Sequence, residues 1–124
     1  MEQVPELSVV LATFRRGETL RETLRCLANQ TLAIGRYEII VVDDGSPDHT
    51  SAVVEEFRTG YSGTLRYLRH DNHGPGYTQN RGIEDARGEL ILLMADDIFM
   101  QPGALEAHVR QHQQHPERWA VVLG

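Results

Sequence analysis

"YEIIVVDDGSPDHT", residues 37–50, holds the pattern that decides the fold. Its apolar positions from Ile39 to Val42 are consecutive, not alternating, as in a strand covered on both faces within a parallel sheet. Two adjacent acids, Asp43 and Asp44, end that run. Asp44-Gly45 has turn composition, and Ser46-Pro47 predicts a helix with Ser46 as its cap and Pro47 in its first position. The unit reads strand, turn, helix.

The same unit recurs on either side. "LSVVLAT" from Leu7 and "ELILLMA" from Glu89 are nearly unbroken runs of Val, Ile and Leu, while "LRYLR" from Leu65 is shorter and interrupted by Arg. Between the runs lie helical patterns. "GETLRETLRCLANQ" sets Leu20, Leu24 and Leu27 on one face, and "GYTQNRGIEDARG" sets Tyr77, Asn80, Ile83 and Ala86 at i+3 spacing, with Gly88 placed to end the helix. Strand starts recur about every 25 to 30 residues, the size of a βαβ unit. The alternation predicts an α/β fold: a doubly wound, mainly parallel sheet with helices on both faces and right-handed crossovers. "QPGALEAHVRQHQQH" predicts a further helix from Pro102, and "WAVVLG" a last strand. The 124 residues suit one domain, spanning 1–124, with one modest core.

In such sheets ligands sit at the carboxyl ends of the strands. Asp43-Asp44 ends the second strand there and Asp96-Asp97, in "LLMADDIF", ends the fourth. Carboxylates at the end of a buried strand need donors, water or a cation. Mg²⁺ or Mn²⁺ would meet that need, being held by one or two carboxylates together with substrate phosphates. Each pair has a plainer reading, in which Asp96 caps a turn, Asp97 is solvated and Asp44-Gly45 turns the chain. Together, however, the pairs would face one crevice, with one acid meeting a base or ribose and the other a metal on a diphosphate.

The composition excludes other classes. With 40% hydrophobic and 24% charged residues, no apolar run of about 18 residues and no basic-then-apolar start, the chain is expected to be cytoplasmic, free or peripheral to a membrane. A net charge of −6 argues against nonspecific nucleic-acid binding. All twelve basic residues are Arg, which leaves phosphate recognition by any one of them open. Cys26, the single cysteine, falls in the apolar pattern of a helix and is expected to be a buried thiol. His108, His112 and His115 share a helix face, but no Cys or acid completes a zinc set, so a solvated face is expected. Phe14, Tyr77 and Trp119 are expected in the core or a cleft wall. The absence of Lys argues against a phosphoacceptor receiver domain, and no G-x-G-x-x-G follows the first strand to mark a dinucleotide fold.

Five segments in order, "LSVVLATFRR", "TLRETLRCLANQTL", "YEIIVVDDGSPDHT", "HGPGYTQNRGIEDARGELILLMADDIF" and "HPERWAVVLG", resemble the nucleotide-sugar-binding half of a family 2 inverting glycosyltransferase of the GT-A fold. The resemblance implies that Asp44 accepts hydrogen bonds from a nucleobase, typically uracil, beside the backbone of Ala12 and Thr13. It implies that Asp96 contacts the ribose or diphosphate, that Asp97 coordinates Mn²⁺ or Mg²⁺, and that Asn80 lies near the donor sugar. Asp43 ranks lower, as a loop-stabilising neighbour. The family often has an acid at Ala95 and an Arg at Gln79, and the missing acid lowers the charge facing a metal. It also implies a UDP-sugar donor, a saccharide or lipid-linked acceptor, and a general base in an acceptor-binding half that this chain is expected to lack; Glu106 and Glu117 are expected to be solvated. On that expectation the chain binds donor but transfers poorly, and its open carboxyl-terminal edge favours self-association or a partner. A non-catalytic nucleotide-sugar-binding or assembly module on the same fold is the alternative.

Overall fold

The computed structural model describes residues 4–114 and 122–123. Five strands, β1 (Leu7–Thr13), β2 (Tyr37–Asp43), β3 (Thr64–Arg69), β4 (Leu90–Ala95) and β5 (Val122–Leu123), form one sheet in the order β3-β2-β1-β4-β5. Every pairing is parallel. The helices are α1 (Gly17–Ala28), α2 (Thr50–Thr59), α3 (Pro75–Asp85) and α4 (Ala104–Gln114). The predicted parallel α/β sheet is therefore observed.

The continuous apolar runs are explained by burial on both faces. Val9, Leu11, Ile39, Val41, Leu92 and Met94 form one core with Leu20, Leu24 and Leu27 of α1 and Val54 of α2. Burying each such leucine contributes roughly 1.5–3 kcal/mol. Val10, Ile40 and Val42 point the other way and pack with Leu68, Ile91 and Leu93 beneath α3. The placement of α1 and α2 on one face and α3 on the other is what crossovers of one hand require when the sheet reverses direction. Leu105 and Val109 of α4 join the α1 face, so the last connection departs from that alternation.

Several local elements depart from the sequence expectation. Helix α2 starts at Thr50, not at Pro47. Ser46 is drawn away from capping because its N–H donates to Asp43 Oδ1 (2.8 Å) and its hydroxyl accepts from Arg15 N–H (2.9 Å), while Asp48 Oδ1 accepts the Thr50 N–H (3.1 Å). Helix α4 starts at Ala104, after a turn at Pro102. Helix α3 buries Thr78 and Gly82, leaving Tyr77 and Asn80 exposed, because the bare Gly82 lets the helix settle against Val10 and Val42. Gly88 does not end α3, which stops at Asp85. It lies against β1 instead: a Cβ there would fall 2.8 Å from Ser8 N and 2.9 Å from Leu7 C.

The amino end of the sheet contains a buried ion pair that the sequence reading did not identify. Glu38 of β2 is fully buried. It accepts from Ser8 Oγ (2.6 Å), the Arg87 N–H (2.8 Å) and the Arg66 guanidinium (2.9 and 3.1 Å), which also pairs with Asp85 (2.5 Å). These bonds join β1, β2 and β3 to the end of α3. Cys26 is half-buried and free, not sealed in the core.

Candidate functional site

The strand order reverses at β1, so the connections leaving β1 and β4 diverge and open a crevice at their carboxyl ends. A cleft of about 470 Å³ lies there. Ala12 and Thr13 of β1 and Met94 and Ala95 of β4 form its floor, the β3–α3 loop contributes Asn72 and Gly74, the start of α3 contributes Gln79, and Asp44, Asp96, Phe14 and Arg16 stand in the walls. Both acid pairs end strands at this edge, but only Asp44 and Asp96 line the cleft.

Asp44 is buried and its carboxylate is fully engaged. Oδ1 accepts the His73 N–H (2.8 Å) and His70 Nε2 (3.1 Å), and Oδ2 accepts the Gly74 N–H and Asn72 Nδ2 (3.1 Å each). Four donors fill the roughly four lone-pair positions of a carboxylate. Burial alone would raise its pKa. The N–H groups of His73 and Gly74, with Thr78 and His70, outweigh burial and hold it below the usual carboxylate range. The tautomer of His70 follows from Arg81: a guanidinium only donates, so His70 Nδ1, 2.9 Å from Arg81 Nη1, is the acceptor and Nε2 carries the proton toward Asp44. A base that donates to Asp44 must share or displace one of these internal donors.

Asp43 has a different task. It is fully buried, absent from the cleft wall, and bonded to Ser46 N–H and the Tyr67 hydroxyl. Burial, then the adjacent Asp43 carboxylate, raises the Tyr67 pKa, so the phenol stays a donor. Asp43 thus shapes the turn that presents Asp44 and does not itself line the cleft.

On the opposite side, Asp96 is buried and Asp97 half-exposed. Thr13 Oγ1 donates to Asp96 Oδ2 (2.9 Å), and Thr23 Oγ1 of α1 donates to its backbone carbonyl (2.6 Å). The Arg16 guanidinium bridges the pair, 3.1 Å from Asp96 Oδ1 and 3.4 Å from Asp97 Oδ2. Arg15, in the left-handed region at φ 57°, turns the chain so that its own guanidinium lies over the Phe14 ring (5.0 Å) while Arg16 faces the acids. No cluster of three His, Cys, Asp or Glu suited to a metal occurs among the described residues. The donor set therefore fits a divalent ion only as one or two carboxylates completed by substrate oxygens and water, which is how Mg²⁺ is commonly held.

Other sequence candidates lie elsewhere. Asn80 is exposed on α3 and does not line the cleft, whereas its neighbour Gln79 does. Phe14 is a cleft wall as expected; Tyr77 is 51% exposed and stacks on His73 (ring centroids 4.4 Å apart) outside it. Glu106 is bonded to Thr31 and Arg110 and does not line the cleft. His108 is half-buried, not solvated, and burial, followed by His112, lowers its pKa. Trp119, His115 and Glu117 lie outside the described residues. Sequence reasoning missed Arg16, His70 and Asn72. "TFRR" directly after a strand was the available signal for Arg16; nothing local marked the other two.

This geometry matches known proteins. The family model described as "Glycosyl transferase family 2" matches residues 8–123. A "GalNAc(5)-diNAcBac-PP-undecaprenol beta-1,3-glucosyltransferase" of Campylobacter jejuni is 32% identical over 123 residues, 98% of this chain and 38% of that protein. "Glycosyltransferase AglE" of Haloferax volcanii is 28% identical over 106 residues, 86% of this chain and 35% of that protein. The chain thus spans little more than a third of the length of these relatives. The crystal structure of S. aureus TarS 1-349 in complex with UDP-GlcNAc superposes with a TM-score of 0.82 at 27% identity, covering 90% of this chain and 32% of that one. A parallel sheet with one acid of each strand-end pair facing a single cleft, matched by the family model over nearly its whole length, places this chain in glycosyl transferase family 2.

Proposed function

We propose that residues 1–124 form the donor-binding unit of a glycosyltransferase that takes a nucleotide-diphosphate sugar, with a UDP-sugar the favoured donor. The observation that carries this reading is that Asp44 and Asp96 face one cleft floored by Ala12 and Thr13, with Asp97 joined to Asp96 through Arg16. The cleft lies within the volume range of small-molecule sites. A nucleobase against Ala12, Thr13 and Asp44 would direct its diphosphate toward Asp96, Asp97 and Arg16. UDP-GlcNAc is the ligand of the related TarS structure, which supports the nucleotide.

In this reading Asp97 holds Mn²⁺ or Mg²⁺, with Asp96 beside it on the ribose or diphosphate. The ion would supply charge neutralisation of the leaving diphosphate. The reaction is inverting displacement at the anomeric carbon by an acceptor hydroxyl, of a saccharide or lipid-linked acceptor, whose proton passes to a general base. Asp44 and Asp96, the carboxylates lining the cleft, are both engaged in internal bonds, so neither is assigned that base. Among the described residues no helix is long and apolar enough to cross a membrane.

Calorimetric titration of UDP and UDP-sugars into the chain, with and without Mn²⁺, tests the reading. Binding enhanced by Mn²⁺ in the parent and unaffected by Mn²⁺ in Asp97→Ala is expected. Failure of every nucleotide to bind the parent under both conditions would remove the donor-site assignment.

A further inference from the structure

Asp96 and Arg16 line the acid side of the cleft, Asp97 stands beside them, and Arg16 is the half-exposed partner of both carboxylates. Asp96 is fixed: Thr13 holds its side chain and Thr23 its carbonyl, and it is buried. Arg16 is not fixed in this way. Its side chain is 53% exposed, lines the cleft, and among the described residues makes ion pairs at 3.1 and 3.4 Å to Asp96 and Asp97.

We propose that Arg16 is the resident counter-ion of Asp96-Asp97, a positioning residue that suppresses divalent-cation binding until a diphosphate arrives. The inference rests on the donor-site reading above. Arg16 leaves the acid pair with one uncompensated negative charge, half-exposed on Asp97. A divalent ion on Asp97 would stand beside the guanidinium already touching the same carboxylate, and like charges at this range repel, the more so away from bulk water. A diphosphate changes the balance. Its anionic oxygens accept both the cation and the planar fork of Arg16, whose geometry suits phosphate. Arg16 therefore moves from Asp97 to the diphosphate as the cation takes its place, and Asp96 stays where Thr13 holds it. No bond is made or broken; only ion pairs are exchanged.

The consequence is coupling. Cation and nucleotide each bind better with the other present, and by linkage the factor is the same in both directions. Removing Arg16 should strengthen cation binding to the nucleotide-free chain and weaken the nucleotide most when the cation is present, so the coupling factor shrinks.

The test is Mn²⁺ binding followed by the electron paramagnetic resonance of the free ion, with and without UDP, for the parent chain, Arg16→Met and Arg16→Lys. We expect Arg16→Met to bind Mn²⁺ several-fold more tightly than the parent without UDP and to lose about tenfold of the coupling. Arg16→Lys keeps the charge without the fork, and should restore the suppression while regaining only part of the coupling. Urea unfolding of each variant separates a loss of fold from a loss of the counter-ion. Unchanged or weaker nucleotide-free Mn²⁺ binding in a folded Arg16→Met, with UDP still bound, overturns the counter-ion role alone. A parent chain that binds no UDP with or without Mn²⁺ overturns the donor-site reading and this proposal with it.

Discussion

Replacing Asp44 by Asn tests how the cleft is organised, because the two side chains have the same shape and differ in charge and in one acceptor. Asp44 receives four donors, two on each oxygen. Asn retains one oxygen and turns an NH₂ group toward the other two donors, so two charge-assisted bonds are lost at roughly 1.5–3 kcal/mol each. His70 and Asn72 can turn partly to water, which reduces the sum, and we expect a loss of about 2–4 kcal/mol from a total of roughly 5–15 kcal/mol. Urea unfolding followed by circular dichroism reads this as a midpoint lower by roughly 1–2 M for a slope of about 2 kcal/mol/M. The pH dependence supplies an independent arm. The folded pKa of Asp44 is depressed, so its contribution is fully present above the unfolded value of about 3.9 and is lost as pH falls from there through the lower folded value. The stability gap between parent and variant should therefore narrow on acidification. A variant that unfolds at the parent's urea concentration, or a gap that widens in acid, would refute the view that this carboxylate ties residues 70–74 to the end of β2.

Two further changes probe the scaffold. Arg66→Met strands Glu38, which is fully buried, and should cost about 3–5 kcal/mol; adding Glu38→Gln should recover part of it, and a cost near zero in calorimetric unfolding would contradict the ion-pair reading. Gly88→Ala drives a Cβ against the β1 backbone at Ser8 and Leu7 and should lower stability by about 1–3 kcal/mol, whereas Gly76→Ala, with nothing within 4 Å, should be neutral or slightly stabilising; equal effects in thermal melts would refute the close-approach argument.

The sequence by itself determined the layers. Runs such as "SVVLA" and "EIIVV" are local statements about burial on both faces, and Leu20, Leu24 and Leu27 are a local statement about one helix face; all three leucines are fully buried as read. Strand ends followed by acid pairs were likewise legible, because a topological rule puts ligands at the carboxyl ends of a parallel sheet. What the sequence did not carry was the allocation of hydrogen-bond partners. Asp43 and Asp44 are adjacent and chemically identical, yet one faces Tyr67 and Ser46 and the other His70, Asn72 and the His73–Gly74 backbone, a division made by the alternation of strand faces and by a loop that arrives after β3. The inward face of α3 was misread because Gly82 has no side chain to register as apolar, and only the sheet beneath shows why a bare position is needed. Thr13 meets Asp96 across 83 positions of sequence, and Arg16 meets it across 80. Hydrophobic periodicity acts between neighbours in the chain and can be read from it. A charge finds its counter-ion only when the sheet brings distant strand ends together, and that step belongs to the tertiary structure.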